Sequence, residues 1–160
     1  MTTVQFPSQD FPAPPALTLD CPEGWRPLTN VATQLAVGKE VPEGQFRPNV
    51  IAVVTRVRST YSLDDAIREV TEALTPLDGY AEVGRETTEV DGRTMFRIEV
   101  TFSDPHGATM AQAVRLFVVD RGPVRDLVQL TASCLAPQVE STWPEIREIQ
   151  SSIRIIDEEA

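Results

Sequence analysis

The sequence predicts an α+β domain organised on an antiparallel sheet. Three observations carry that prediction. The stretch from Gly92 to Leu135 alternates apolar and polar residues over three long runs separated by turn sequences, which is the period of half-buried strands. Ser62–Leu74 carries an apolar stripe at helical spacing behind a capping signature. A length of 160 residues with 41% hydrophobic content is enough for one domain with a core of its own.

The alternating runs form the frame. In the first, about Arg93–Ser103, Phe96, Ile98, Val100 and Phe102 share one face, and Arg97, Glu99 and Thr101 share the other. Asp104-Pro105-His106-Gly107 turns the chain into a second run, about Ala108–Asp120. Arg121-Gly122-Pro123 turns it into a third, about Arg125–Leu135. There Val128, Leu130, Ala132 and Cys134 alternate against Gln129, Thr131 and Ser133. Short connections between such runs make an antiparallel meander.

The other elements follow in chain order. Residues 1–15 form a Pro-rich arm in which Pro7, Pro12, Pro14 and Pro15 favour an extended conformation. Phe6 and Phe11 are odd in a solvated tail and are candidates for docking on the domain or on a partner. Residues 16–156 form the single domain. Ala16–Asp20 reads as a short strand and Pro22-Glu23-Gly24 as a turn. Trp25 opens a second strand segment that resumes, after a loop around Thr29–Asn30, at Thr33–Val37. Trp25 itself reads as a core or edge-covering residue rather than a ligand platform. Gly38–Pro48 is a loop. Asn49–Val57 is apolar on both faces, which predicts a central strand covered on both sides.

Ser62 and Asp65 predict a capping box, and Leu63, Ile67, Val70 and Leu74 give the stripe of the helix behind it. The Asp64–Asp65 pair therefore reads as a cap rather than an acid/base pair. Pro76 closes that helix. Tyr80–Val90 is a strand, with a tight turn at Val90-Asp91-Gly92. Pro137 ends the meander. Thr142 and Glu145 predict a second capping box, with Pro144 tolerated in the first turn, and Ile146, Ile149 and Ile153 as the stripe. Ser152–Ile156 reads as a closing strand and residues 157–160 as an acidic tail. The placement of Val124, Leu127 and Val139 is not settled by the pattern.

The net charge of −10 argues against nucleic acid as a partner, since backbone phosphates require clustered Lys and Arg. No run of about 18 apolar residues is present to span a bilayer. No basic n-region or apolar h-region opens the chain. Leu17-Thr18-Leu19-Asp20-Cys21 has an outline of a lipoprotein cleavage site, but Asp20 stands where a small residue is required. The resulting expectation is a cytoplasmic protein. Cys21 and Cys134 both fall near predicted strand ends, so a bridge is geometrically open to them. They are too few for a disulfide framework and read as two small buried thiols.

No motif names a reaction. His106 is the single histidine and lies in a predicted turn. No serine or cysteine stands in a Gly-x-Ser-x-Gly setting. One histidine and two distant cysteines do not make a zinc site, and the glycines do not gather into a phosphate loop. Glu86, Glu89 and Asp91 bracket a hairpin turn and read as solvent-facing. No catalytic, cofactor-binding or metal residue is therefore assigned, and no cofactor is expected. The surfaces left for a partner are the 38–48 loop, the aromatic arm and the outer faces of the helices.

Ala16-Leu17-Thr18-Leu19-Asp20-Cys21-Pro22-Glu23-Gly24-Trp25 resembles the strand-Pro-x-Gly-Trp opening of PsbP-like domains. Phe46-Arg47-Pro48-Asn49-Val50 is similar to their Phe-x-Pro-Asn entry to the central strand. Val90-Asp91-Gly92, the long strands after it and Ile149–Arg154 follow in the same order. Within that superfamily the chain most resembles the actinobacterial LpqN/LpqT-type lipoproteins, over about residues 16–156, although without their signal peptide and lipidated cysteine. The resemblance implies an antiparallel β-sheet covered by α-helices, an α/β/α sandwich, and a non-catalytic role. Relatives on this scaffold bind different things, so the particular function does not transfer with the fold.

Three functions remain. The first is a non-enzymatic binding or adaptor domain for a protein or an apolar protein segment, of a chaperone-like or a secretion- or envelope-associated kind. The second is a carrier of an apolar small molecule, held between the meander and the first helix. The third is a small hydrolase using His106 or a carboxylate pair. A homodimer through an exposed sheet edge is open to the chain.

Overall fold

The alternating runs pair in the order their turns dictate. The computed structural model describes residues 1–156. Along the chain it has strands β1 (Ala16–Thr18), β2 (Trp25–Pro27), β3 (Leu35–Lys39) and β4 (Asn49–Arg58), helix α1 (Leu63–Leu74), strands β5 (Ala81–Val90), β6 (Arg93–Ser103), β7 (Thr109–Asp120) and β8 (Val124–Leu135), helix α2 (Val139–Ser151) and strand β9 (Arg154–Ile156). Seven strands form one antiparallel sheet in the order β2-β3-β4-β8-β7-β6-β5. β1 pairs antiparallel with β9 in a separate two-stranded sheet. The turn between β5 and β6 has Asp91 at φ 52° and Gly92 at φ 75°. Two successive positive φ values are what a tight hairpin requires, and this is why Asp and Gly stand there.

Register assigns each residue to a face. Phe96 lies opposite Leu116, and Leu116 opposite Gln129, on one side. Arg97 lies opposite Arg115, and Arg115 opposite Leu130, on the other. The two helices take opposite sides. α1 begins with the expected capping box: the Asp65 N–H donates to Ser62 Oγ at 3.2 Å and the Ser62 N–H donates to Asp65 Oδ2 at 2.9 Å. Its buried side, with Ala66 and Leu74, packs on Phe96, Ile98 and Val100 of β6 and on Val114 and Leu116 of β7. Leu127 joins this cluster.

α2 packs on the other side. Ile146 and Ile149 are fully buried against Val50, Ala113, Ala132 and Cys134, each burial stabilising the fold by about 1.5–3 kcal/mol. Val139 packs beside them. The β1–β9 pair covers the rest of that area, with Leu17, Ile153 and Ile155 over Ala52, Phe117, Val128 and Leu130. The helices are thus diagonally offset: α1 covers β6–β7 on one face, and α2 with β1–β9 covers β3, β4, β8 and β7 on the other.

Three expectations are corrected. β4 is central, between β3 and β8, but it is not covered on both sides. Val53 is 40% exposed and Ile51 half-buried, because on their face the α1 cluster reaches β4 and β8 only at Val57 and Leu127. Thr142 and Glu145 form no capping box, since α2 starts at Val139. Their side chains are taken by Lys39 of β3, which donates to Thr142 Oγ1 at 3.1 Å and to Glu145 Oε1 at 2.6 Å. The indole N–H of Trp25 donates to the other Glu145 oxygen at 2.8 Å. Trp25 is buried, as a core residue. Of the cysteines only Cys134 is buried; Cys21 is exposed, and both are free thiols. Burial pushes the Cys134 thiol up to about 11.

Both edges of the large sheet are blunted. β2 is three residues long and ends on Pro27. β5 is exposed along almost all its length, but a bulge between Glu82 and Gly84 and the Arg85–Glu82 ion pair interrupt it. Such features oppose edge-to-edge pairing. The predicted acidic tail, 157–160, lies outside the described residues.

Candidate functional site

The offset helices leave two areas of sheet without a helix, and the residues on them are chemically different. On the α1 face the uncovered area spans β4 and β8. Ile51, Val53 and Thr55 stand beside Gln129, Thr131 and Ser133. None of the six is charged. Period-two alternation puts them on one side, and apolar residues on both faces of β4 concealed from the sequence that one face would stay open.

On the α2 face the uncovered area spans β5 and β6 and is charged. Glu99 is only 6% exposed. Arg147 of α2 donates to its Oε1 at 2.8 Å and to its Oε2 at 3.3 Å, and Arg97 lies 3.5 Å from Oε2. Arg97 also pairs with Glu86 at 2.8 Å. Burial alone would raise the Glu99 pKa; the hydrogen bond and charge of Arg147 outweigh it and hold the carboxyl below its ordinary value. Arg115 stands next to this group, 8% exposed, and donates to Ser151 Oγ at 3.2 Å. The sequence signal for this cluster was present but unused: Arg115 shares its alternation phase with Ala111, Ala113, Phe117 and Val119, an otherwise apolar set.

A third polar group on the α2 face ties down the arm. The Asp126 side chain is fully buried and accepts from Arg56 Nε and Nη2, each at 3.0 Å, with Arg121 Nε at 4.0 Å. Arg56 also donates to the Pro12 carbonyl at 2.5 Å, and Arg121 to that of Ala13 at 2.6 Å. Pro15 is buried. Phe6 and Phe11 remain exposed, 63% and 49%.

The residues weighed for chemistry do not come together. His106 is exposed in the β6–β7 turn, where its backbone N–H donates to Asp104 Oδ1 at 2.9 Å. Its ring has no hydrogen-bonding side chain among the described residues. Glu86 is taken by Arg97, and Asp91 by Arg154 at 3.4 Å. Among the described residues no three His, Cys, Asp or Glu side chains are grouped to hold a metal, and no helix is long and apolar enough to cross a membrane. A small cavity of about 10 Å³, lined by Val90, Asp91, Arg93, Phe117, Ile153 and Ile155, has room for one water. It lies beside the β5–β6 turn and β9, not between the meander and α1 where the carrier reading placed a pocket.

A family model described as probable lipoprotein LpqN (Lpp-LpqN) matches residues 2–156. No curated protein matches the chain. Among solved structures, the chain is similar to LpqN involved in cell envelope biogenesis of Mycobacterium tuberculosis, with 17% identity and a TM-score of 0.78 over 91% of this chain and 86% of that one. It is similar to the cyanobacterial PsbP (CyanoP) of Synechocystis sp. PCC 6803, with 13% identity and a TM-score of 0.56 over 88% and 92%. It is also similar to the Ran-binding protein Mog1p of Saccharomyces cerevisiae, with 13% identity and a TM-score of 0.56 over 89% and 91%. The antiparallel sheet with two helices, expected from the resemblance to PsbP-like and LpqN-type domains, is the fold these proteins share. The expected cytoplasmic location is corrected by the same findings. It rested on an absent leader motif. The matching family is one of probable lipoproteins, and its solved relative is tied to the cell envelope, which points outside the cytoplasm.

Proposed function

This chain belongs to the Lpp-LpqN family, and from that premise we propose that it is a non-catalytic adaptor of the cell envelope that holds a protein partner against the open β4–β8 area of its sheet. The observation that carries this reading is the uncharged character of that area in a chain of net charge −10. Exposed charge keeps such a protein apart from its neighbours. An uncharged surface of Val, Ile, Thr, Gln and Ser is where another protein can approach without desolvating ions. The partner surface that fits is likewise uncharged, with apolar side chains to meet Ile51 and Val53 and polar groups to meet Gln129 and Thr131. The fold is compatible with such use, since Mog1p is described as Ran-binding.

The carrier reading has weaker support. Small-molecule pockets run to hundreds of Å³, and the cavity described above holds about 10 Å³. The hydrolase reading has weaker support too, since among the described residues no side chain hydrogen-bonds the His106 ring.

The test is a photo-crosslinking amino acid placed at Val53, compared with one at Val83, a more exposed position on the edge strand β5. The expected result is one discrete protein adduct from Val53 in an envelope fraction. Unlabelled protein competes it away, Ile51→Asp abolishes it, and Val83 does not give it. Equal adducts from both positions, or adducts with lipid alone, overturn the reading.

A further inference from the structure

Among the described residues, one cation of the Glu99 cluster has no carboxylate within ion-pairing distance. Arg97 and Arg115 are direct cross-strand partners on one face of the β6–β7 ladder. Like charges in that position repel. Arg97 is relieved by Glu86 and Glu99, and Arg147 by Glu99. Arg115 has no carboxylate within ion-pairing distance among the described residues; its one hydrogen bond goes to the neutral hydroxyl of Ser151. A guanidinium carries five N–H donors in a planar fork, so most of its capacity is unused. None of its nitrogens is both buried and unpartnered, so the remaining donors keep some contact with solvent. The negative end of α2 at Ser151 offers partial compensation, but no full charge. Burial and the neighbouring Arg97 charge hold the Arg115 pKa below the usual arginine value, the direction expected for a cation short of an anion.

We infer that Arg115, flanked by Arg97 and Arg147, receives one carboxylate of a ligand. The group carries three guanidinium charges against the carboxylates of Glu86 and Glu99, which leaves a single positive charge for a single anion. The planar fork of Arg115 matches a carboxylate, whose two oxygens accept parallel hydrogen bonds. The Asp126 group supplies the precedent within this molecule: its arginines also have donors beyond their carboxylate, and one donor of each goes to a carbonyl oxygen of the arm. At Glu99 nothing in the described chain fills that role. The carboxylate comes either from a free organic acid or from an acidic side chain of a protein. The inference does not depend on what occupies the opposite face.

The test is an NMR titration of the full chain, reading the Nε–Hε signals of its arginines. Sodium acetate replaces sodium chloride at constant ionic strength, and the neutral-capped peptide Gly-Glu-Gly serves as a second probe. The expected result is a saturable shift confined to Arg115, Arg97 and Arg147, lost in Arg115→Gln and weakened several-fold in Arg147→Gln. Arg147 is half exposed, so the second variant keeps the fold and leaves the Arg115 signal as readout if the first does not fold. Tighter binding of the peptide than of acetate identifies a protein-borne carboxylate; equal or weaker binding identifies a free acid. Both support the site. Linear, non-saturating shifts, or saturable shifts that persist in Arg115→Gln, overturn it.

Discussion

Asp126 and Glu99 are both carboxylates buried on the α2 face, and both are gripped by arginine, yet the two groups are built for different ends. Asp126 is closed. Arg56 meets it with two hydrogen bonds, and donors of Arg56 and Arg121 continue to the Pro12 and Ala13 carbonyls. The chain supplies both sides of the arrangement, and the result is a fastening that fixes where the arm enters the domain. Glu99 is open. Its partner Arg147 is 55% exposed at the side chain, against 31% and 9% for Arg56 and Arg121, and Arg115 beside it has no carboxylate within ion-pairing distance among the described residues. The same residue types make a staple where the chain furnishes the acceptors and a receptor where it does not.

The largest way to break this comparison is to neutralise each carboxylate. Asp126→Asn is expected to cost about 3–5 kcal/mol, because it removes the fully buried carboxylate of an ion pair. It should also release the arm, so that the backbone amides of residues 8–11 exchange their hydrogens faster than in the parent. Glu99→Gln is expected to cost about 1–3 kcal/mol, since Arg97 and Arg147 can turn to solvent. Urea denaturation measures both, and equal losses would erase the distinction between closed and open groups.

The pH dependence sharpens it. The folded pKa of Glu99 lies below its ordinary value of 4.5. A depressed carboxylate stabilises the fold fully above the unfolded pKa, and that contribution disappears as pH falls through the folded pKa. Stability should therefore decline below about pH 4.5, and the Glu99→Gln variant should show a shallower decline over that range. An unchanged slope would mean that Glu99 is not held by Arg147 in solution.

Covered and open parts of the molecule also differ in thiol reactivity. A disulfide-exchange reagent at pH 8 should label Cys21 in the native protein, whereas Cys134, buried with a pKa near 11, should react only after unfolding. Rapid labelling of both would show that α2 does not seal the sheet. The smallest effect is expected at the uncharged open area. Val53→Asp should change stability by about 0.5 kcal/mol or less, as is usual for exposed positions, while abolishing partner crosslinking. A large loss of stability there would mean that Val53 is covered within the fold.

Much of the frame was legible in the sequence. Alternation located β6, β7 and β8, Asp91-Gly92 located the hairpin, and Ser62 with Asp65 located the start of α1. The second helix was misjudged at its start because Thr142 and Glu145 have a cap's spacing, and spacing cannot reveal that Lys39, more than one hundred residues earlier, claims both side chains. The candidate surfaces were missed for a related reason. Apolar residues on both faces of β4 promise cover without saying where a helix will stop.

The sequence by itself determined the local conformations: strand periods, turns, and the α1 cap, all of which are set by interactions between residues a few positions apart. Only the tertiary structure decided which half of each sheet face a helix covers, which arginine meets which carboxylate, and which arginine is left over. Those outcomes depend on the register of strands far apart in the chain and on the offset of two helices. A pattern of nearest neighbours along the chain does not contain that geometry.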